Sequence, residues 1–236
     1  MNSNKLFESI VFYVATIPVS NSVVISWIII GMLLVLSLIT SWHLKNVPSN
    51  YQSFIEIVAT SIRDMIEDMI PGKADMIFSF ITTLWIFIFF SNLIGLIPGF
   101  SSPTSDLSTT TALAFVVFFS VHWFGIKSIG LKRYLKHYAT PSPILIPIHL
   151  ISEFSRTIAL AIRLFGNVMS LEIAAALVLM VAGFLVPVPI LLLHIVEAVI
   201  QTYLFGMLSL IYIAGGIQSQ EIQLKKQEDN KGNTYE

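Results

Sequence analysis

The stretch TIALAIRLFGNVMSLEIAAALVLMVAGF, residues 157–184, places an arginine near the middle of a run that otherwise fits the interior of a lipid bilayer. A helix needs about 20 apolar residues to cross a hydrocarbon layer of about 30 Å. An ionisable side chain at the centre of such a helix costs at least about 2.5–3.5 kcal/mol. The stretch therefore predicts a membrane helix, and Arg163 is a candidate functional residue.

The composition of the whole chain is that of an integral membrane protein. Its 236 residues are 55% hydrophobic and 11% charged, with a mean hydropathy of +0.81, whereas an average soluble domain is about 25% charged. The absence of cysteine excludes disulfides, cysteine metal sites and cysteine nucleophiles. The N-terminal residues show neither an Arg-rich amphipathic stretch nor a clear cleavage site, so no removable targeting peptide is predicted.

Five apolar segments predict an all-α integral membrane protein, with one polytopic membrane domain over residues 1–217. None of them alternates like a barrel strand, and they cover roughly residues 23–42, 76–97, 110–126, 144–184 and 188–217. The fourth segment is expected to tilt strongly or bend, because about 40 helical residues reach about 60 Å. The VPVP sequence at 186–189 predicts a break that folds residues 144–217 into a long helical hairpin.

Residues 51–70 combine apolar positions at helical spacing with charged positions between them. This pattern predicts an amphipathic helix that lies on the membrane surface. Two interpretations are equally favoured. The helix is either a docking surface for a partner or a plain connector between two membrane helices.

The loop charges predict how the chain is oriented. One loop holds four cations, Lys127, Lys132, Arg133 and Lys136, whereas the loop at residues 98–110 holds none. Lys and Arg accumulate on the cytoplasmic side of a membrane. The N-terminus is therefore predicted outside and the C-terminus inside, with residues 218–236 forming a polar cytoplasmic tail.

Polar residues concentrate in the last two apolar segments. They are Arg163, Asn167, Ser170 and Glu172 in the fourth segment, and His194, Glu197 and Gln201 in the fifth. At 100° per residue the first three share one stripe, while Glu172 is rotated to the opposite side of that helix. In an antiparallel hairpin, residues at one depth have a nearly constant sum of positions. This sum pairs Arg163 with Gln201, Asn167 with Glu197, and Glu172 with His194.

Two interpretations of these residues differ in chemistry. In one, the charges only satisfy each other, with Arg163 against Glu197 and Glu172 against His194. In the other, favoured here, Glu172 and His194 form a proton relay, since such groups exchange protons near neutral pH. Arg163 cannot carry a proton, because a guanidinium stays charged. Its partner is either Glu197 or a carboxylate on another chain.

Several motifs together resemble a known family. SRTIALAIRLFGNVMSLE followed by HIVEAVIQTYLF, with NLIGLIPGF and PTSDLSTT upstream, is similar to subunit a of the F-type ATP synthase, over about residues 40–217. The resemblance implies a proton-channel stator of the F0 sector, without a catalytic centre or cofactor of its own. The implied partners are the c-subunit ring, the b-subunit peripheral stalk, other ATP synthase subunits and membrane lipid, with no nucleic acid. The implied location is the bacterial inner membrane.

The resemblance also assigns roles to single positions. Arg163 matches the arginine that faces the ring carboxylates, Asn167 and Gln201 match polar residues beside it, Glu172 and His194 match the outer half-channel, and Asp106 matches the mouth of that channel. Ser170 shares the arginine stripe and is included in the predicted proton path. The implied mechanism is a pair of offset half-channels that load and unload the ring carboxylates.

The chain departs from the family pattern on the inner side. Many relatives carry a glutamate where this chain has His149, and Glu153, one turn along, is a candidate substitute. Glu197 is an extra acid where an apolar residue is usual, so it belongs either to a modified proton path or to Arg163. Two alternatives stay open: a sodium-translocating version of the same subunit, and a self-contained secondary transporter, although no repeated halves are found.

Overall fold

The computed structural model describes residues 10–14, 17–42, 49–97, 100–131, 134, 145–182 and 188–232. Its long helices are α1 (Asn21–Trp42), α2 (Asn50–Met69), α3 (Ala74–Ile94), α4 (Leu107–Ile129), α5 (Leu145–Ala182) and α6 (Val188–Gly232). Five of these, all but α2, are long and apolar enough to cross a membrane. The predicted all-α membrane fold with five membrane helices is confirmed.

The N-terminal residues add a small element that the sequence analysis did not predict. Strands β1 (Ile10–Val14) and β2 (Ile17–Ser20) pair antiparallel, with Val14 opposite Ile17 and Tyr13 opposite Pro18. Both strands are rich in β-branched and aromatic residues, which fit a pleated ribbon. The hairpin leads directly into α1 and leaves the helical architecture of the membrane segments unchanged.

The fourth apolar segment forms one long helix. Helix α5 has 38 residues, which corresponds to about 57 Å at 1.5 Å per residue. Helix α6 extends through Gly232, so the helix continues into the segment predicted as a polar tail. The first two residues of VPVP, 186 and 187, lie outside the described residues, as do residues 183–185, and the last two, Val188 and Pro189, begin α6. The hydrogen bond between Asn167 on α5 and Gln201 on α6 shows that the two helices pack together as a hairpin.

Helix α2 has the amphipathic pattern that the sequence predicted. Its Ile62 and Ile66 are buried, whereas Glu56, Asp64 and Glu67 are exposed. The buried face joins an apolar cluster shared with α3, α4 and α6, whose members include Ile70, Ile77, Ile81, Val121, Phe124, Leu210, Ile213 and Ile217. The helix therefore packs along the bundle through its isoleucines and keeps its acidic residues on the surface.

A second apolar cluster fixes the rotation of α5. Leu160, Leu164 and Val168 are buried against residues of α3, α4 and α6, among them Ile88 and Phe205. These three positions follow the i, i+4 spacing of one helix face. Ala161 is buried with them, whereas Ile162 and Arg163, which lie between Ala161 and Leu164, are exposed on the other side of the helix.

Polar contacts join the helix ends at two opposite levels. Lys73, just before α3, donates to Ser128 near the end of α4. At the other level, Asn21 at the start of α1 donates to Ser101 before α4, and the Ser102 amide donates to Glu172 on α5. The start of α3 thus lies level with the end of α4, and the start of α1 lies level with the start of α4, so α3 runs antiparallel to α1 and α4.

Candidate functional site

Arg163 lies on the surface of α5, and its side chain is exposed. Among the described residues it makes no salt bridge, and neither does the half-buried Glu197 on α6. The pairing of Arg163 with Glu197 across the hairpin is therefore not formed in this structure. A fixed positive charge is presented on the outer face of the longest apolar helix pair, where it is accessible to a carboxylate from another chain.

Asn167, one turn from the arginine, is tied to α6. Its side-chain amide donates a 3.0 Å hydrogen bond to Gln201 Oε1. The position sum that paired Asn167 with Glu197 is wrong here by one helical turn. That sum assumed a fixed turn centre and parallel axes, whereas packing sets the register. Gln201 is 1% exposed, and its Nε2 has no hydrogen-bond partner within the described part of the chain.

Glu172, on the opposite side of α5, is held by the loop that precedes α4. Its Oε1 accepts a 2.8 Å hydrogen bond from the backbone amide of Ser102, and the nearby Ser105 hydroxyl donates to the Ser102 carbonyl at 2.7 Å. Gly95 makes this approach possible, because a Cβ at that position would lie 3.0 Å from the same carboxylate oxygen. The carboxylate is therefore held by the backbone of this loop.

His194 is the imidazole that the sequence paired with Glu172. It is 3% exposed and close enough to interact electrostatically with that carboxylate. Its Nε2 is buried and, among the described atoms, has no hydrogen-bond partner. The predicted proximity of Glu172 and His194 is thus found.

A buried polar network extends from the Glu172 loop to α6. Ser102 Oγ donates to the Ser91 carbonyl at 2.7 Å and lies 2.6 Å from Thr104 Oγ1. Thr104 donates to Asn92 Oδ1 at 2.6 Å, and the Asn92 amide donates to Thr202 Oγ1 at 3.4 Å. The network connects α3, the loop and α6 at the level of Glu172.

Sequence reasoning missed Ser102, Thr104 and Thr202 as members of the site. Thr104 belongs to the quoted PTSDLSTT motif and Ser102 directly precedes it, and the run of hydroxyl residues there was the available signal. Thr202 lies 110 residues from its partner Asn92, and nothing in a single sequence links two positions so far apart. All three are buried polar side chains, which a folded chain must pair.

Asp106 and Ser170, both predicted as site residues, form hydrogen bonds within their own helices. Asp106 caps α4, since its Oδ1 accepts from Ser108 N at 2.9 Å and from Ser108 Oγ at 2.8 Å. The Ser170 hydroxyl donates to the Gly166 carbonyl of its own helix at 2.6 Å. His149 falls within α5, but its side chain lies outside the described residues.

Glu153 has a partner that the sequence analysis did not single out. Its Oε2 lies 3.5 Å from His122 Nε2 on α4. The two residues are 31 positions apart and sit on different helices, so spacing gave no signal. The structure thus joins the candidate acid on the N-terminal part of α5 to an imidazole.

One family accounts for nearly all of this architecture. The sequence model described as ATP synthase A chain matches residues 23–214. The chain belongs to the ATP synthase A chain family. It is 52% identical to ATP synthase subunit a of Legionella pneumophila (strain Corby) over 224 residues, 94% of this chain and 97% of that protein. It is also 52% identical to ATP synthase subunit a 2 of Pelobacter propionicus over 221 residues, 92% of this chain and 96% of that protein.

A more distant relative covers the chain equally well. ATP synthase subunit a 2 of a Bradyrhizobium species is 36% identical over 219 residues, 93% of this chain and 98% of that protein. As an ATP synthase A chain, the protein is a non-catalytic, multi-pass membrane subunit of the F0 sector, and it takes part in ion transport coupled to ATP synthesis. Its partners include other ATP synthase subunits.

Proposed function

We propose that this chain is the proton-conducting stator subunit of its ATP synthase, with two offset half-channels that load and unload carboxylates on a rotating c-subunit ring. The observation that carries the proposal is the exposed Arg163, which makes no salt bridge within the described chain and projects from an apolar helix face. A charge left unpaired in lipid costs several kcal/mol. A carboxylate on a neighbouring subunit removes that cost.

In the proposed cycle, a proton arrives from the outside past Glu172 and His194 and neutralises a ring carboxylate. The neutral carboxyl then travels through lipid as the ring rotates. When it returns to Arg163, the guanidinium favours its ionised form, and the proton leaves on the inner side. The same positive charge blocks a direct leak between the half-channels. Each charge moved across 100 mV supplies about 2.3 kcal/mol for rotation.

The proposal includes an orientation and a location. The loop charges favour an N-terminus outside and a C-terminus in the cytoplasm, and the relatives compared above come from bacteria, which supports a place in the inner membrane. In this orientation the Glu172 loop faces outward and the contact between Lys73 and Ser128 faces inward. The b-subunit peripheral stalk is a further proposed partner.

The test uses the assembled complex in vesicles, with ATP-driven pumping and passive proton flux measured separately. Arg163→Ala should abolish ATP-driven pumping while the complex still assembles. Arg63→Ala is the matched control, because Arg63 lies on α2 in an exposed pair with Asp75, at 2.7 Å, and should leave pumping normal. Unchanged pumping by Arg163→Ala would overturn the proposal. Pumping that requires sodium would assign the sodium-translocating version instead.

A further inference from the structure

Arg163 lies between two carboxylate–imidazole pairs. Glu153 precedes it by ten residues and Glu172 follows it by nine on the same helix, which places the acids about 15 Å and about 14 Å from it along the axis. Glu172 has His194 of α6 as its imidazole neighbour, and Glu153 has His122 of α4. Only the first pair has a role in the function proposed above.

The local geometry defines the tautomer of His122. Its Nδ1 lies 3.0 Å from the Phe118 carbonyl oxygen, which can only accept, so Nδ1 carries a hydrogen. In the neutral ring the lone pair is then on Nε2, and this atom lies 3.5 Å from Glu153 Oε2. The imidazole is thus arranged to take a proton from the carboxyl group of Glu153.

The Glu153–His122 pair is partly buried and partly exposed. The His122 ring lies 4.7 Å from the Phe118 ring, at a tilt of 43°, and 6.1 Å from the ring of the buried Tyr134, measured between ring centroids. The His122 side chain is 27% exposed and that of Glu153 is 18% exposed. The pair is neither sealed in the core nor fully open.

We propose that Glu153 and His122 form the proton-release relay of the inner half-channel, an inference that rests on the function proposed above. A proton released near Arg163 binds Glu153. The O–H bond of the protonated carboxyl group then breaks as an Nε2–H bond forms on His122, leaving a carboxylate and an imidazolium. The imidazolium passes the proton to water on the cytoplasmic side and returns to its neutral form. Charge and protons balance at each step.

A purely structural ion pair between α4 and α5 is the competing explanation. It is separated from a relay by substitutions that keep hydrogen bonding but cannot carry a proton. His122→Gln and Glu153→Gln should each lower passive proton flux per assembled complex by about tenfold or more, because positioned proton transfer contributes about 10²–10⁴-fold. Glu153→Asp should retain most of the flux. Ser120→Ala is the control on α4, since that hydroxyl bonds only to the Val117 carbonyl in the described structure.

A second variant keeps the test decisive if a single substitution prevents assembly. Exchanging the two groups, His122→Glu together with Glu153→His, retains an acid and an imidazole and should restore part of the flux. Normal flux in both glutamine variants would overturn the relay, as would lower thermal stability with unchanged flux per complex. If Arg163→Ala abolishes pumping while the relay variants conduct normally, only the relay fails and the stator function stands.

Discussion

The backbone amide of Ser102 donates a 2.8 Å hydrogen bond to Glu172 Oε1, across 70 residues of sequence. This bond joins the loop before α4 to helix α5 of the hairpin, ten residues before that helix ends. A hydrogen bond to a charged group is worth about 1.5–3 kcal/mol, and a backbone donor cannot rotate away as a side chain can. The position of the outer carboxylate is therefore set by the loop as well as by its own helix.

Gly95 controls how closely that carboxylate approaches. In Gly95→Ala the new Cβ would lie 3.0 Å from Glu172 Oε1 and 3.1 Å from Ser102 Cβ, so the carboxylate and the loop must shift by a few tenths of an ångström. We expect this shift to weaken the charge-assisted bond from Ser102 to Glu172, and passive proton flux to fall about tenfold. Gly31→Ala on α1 meets nothing within 4 Å and serves as the control. Equal flux in the two variants would contradict this role for Gly95.

The Thr104 hydroxyl links two other members of the buried network. Thr104→Val removes the donor to Asn92 Oδ1 and the neighbour of Ser102 Oγ. We expect a loss of about 1–3 kcal/mol in the free energy of unfolding, because buried polar atoms lose their partners. The measurement is thermal denaturation in detergent. Thr83→Val is the control, as that exposed hydroxyl bonds only to the Ser79 carbonyl in the structure, and it should change little.

The register of the hairpin can be measured with a double-mutant cycle. Asn167→Ala and Gln201→Ala should be coupled by about 0.6 kcal/mol or more, a typical value for an interhelical hydrogen bond in a membrane, because these side chains bond at 3.0 Å. Asn167→Ala and Glu197→Ala should be additive in unfolding measurements. Coupling confined to the second pair would instead support the register that the sequence suggested.

Gly206 accommodates an indole ring. A Cβ at this position would lie 0.8 Å from Trp85 Nε1, so Gly206→Ala forces the ring or the helix to move. We expect destabilisation of about 1–3 kcal/mol or more from overpacking, seen as a lower yield of folded protein. Trp85→Leu in the same chain should recover part of that yield. Gly215→Ala on the same helix has open space, and a comparable loss there would contradict the packing explanation.

Two substitutions at Asp106 distinguish a helix-capping role from a role in the channel. Asp106→Ala removes the cap of α4 and should cost about 0.5–2 kcal/mol of stability, whereas Asp106→Asn keeps an acceptor for the Ser108 amide. If the charge of Asp106 serves the channel mouth, the asparagine variant should be stable but conduct more slowly. Normal conduction by a stable asparagine variant would limit Asp106 to the cap.

Much of the site was predictable from the sequence. Helical spacing and the free-energy cost of a polar side chain in a membrane helix can both be judged from residues that are neighbours in the sequence. Arg163, Glu172 and His194 are recognised in this way, because each is a polar residue within an otherwise apolar helix. The position sum identified Glu172 and His194 as neighbours. It failed for Asn167, because the sum contains no information on how the two helices cross. The packing of the buried Gln201 decides which turn of α6 contacts Asn167.

The sequence by itself determined the number of membrane helices, the amphipathic surface helix and the polar faces of α5 and α6, since each follows from the order of apolar and polar residues along one helix. Only the tertiary structure decided that Ser102 and Gly95 surround Glu172, that Thr202 closes the network of Asn92, and that His122 meets Glu153. These contacts join residues 31 to 110 positions apart in sequence, and their partners are chosen by how side chains fill the space between helices.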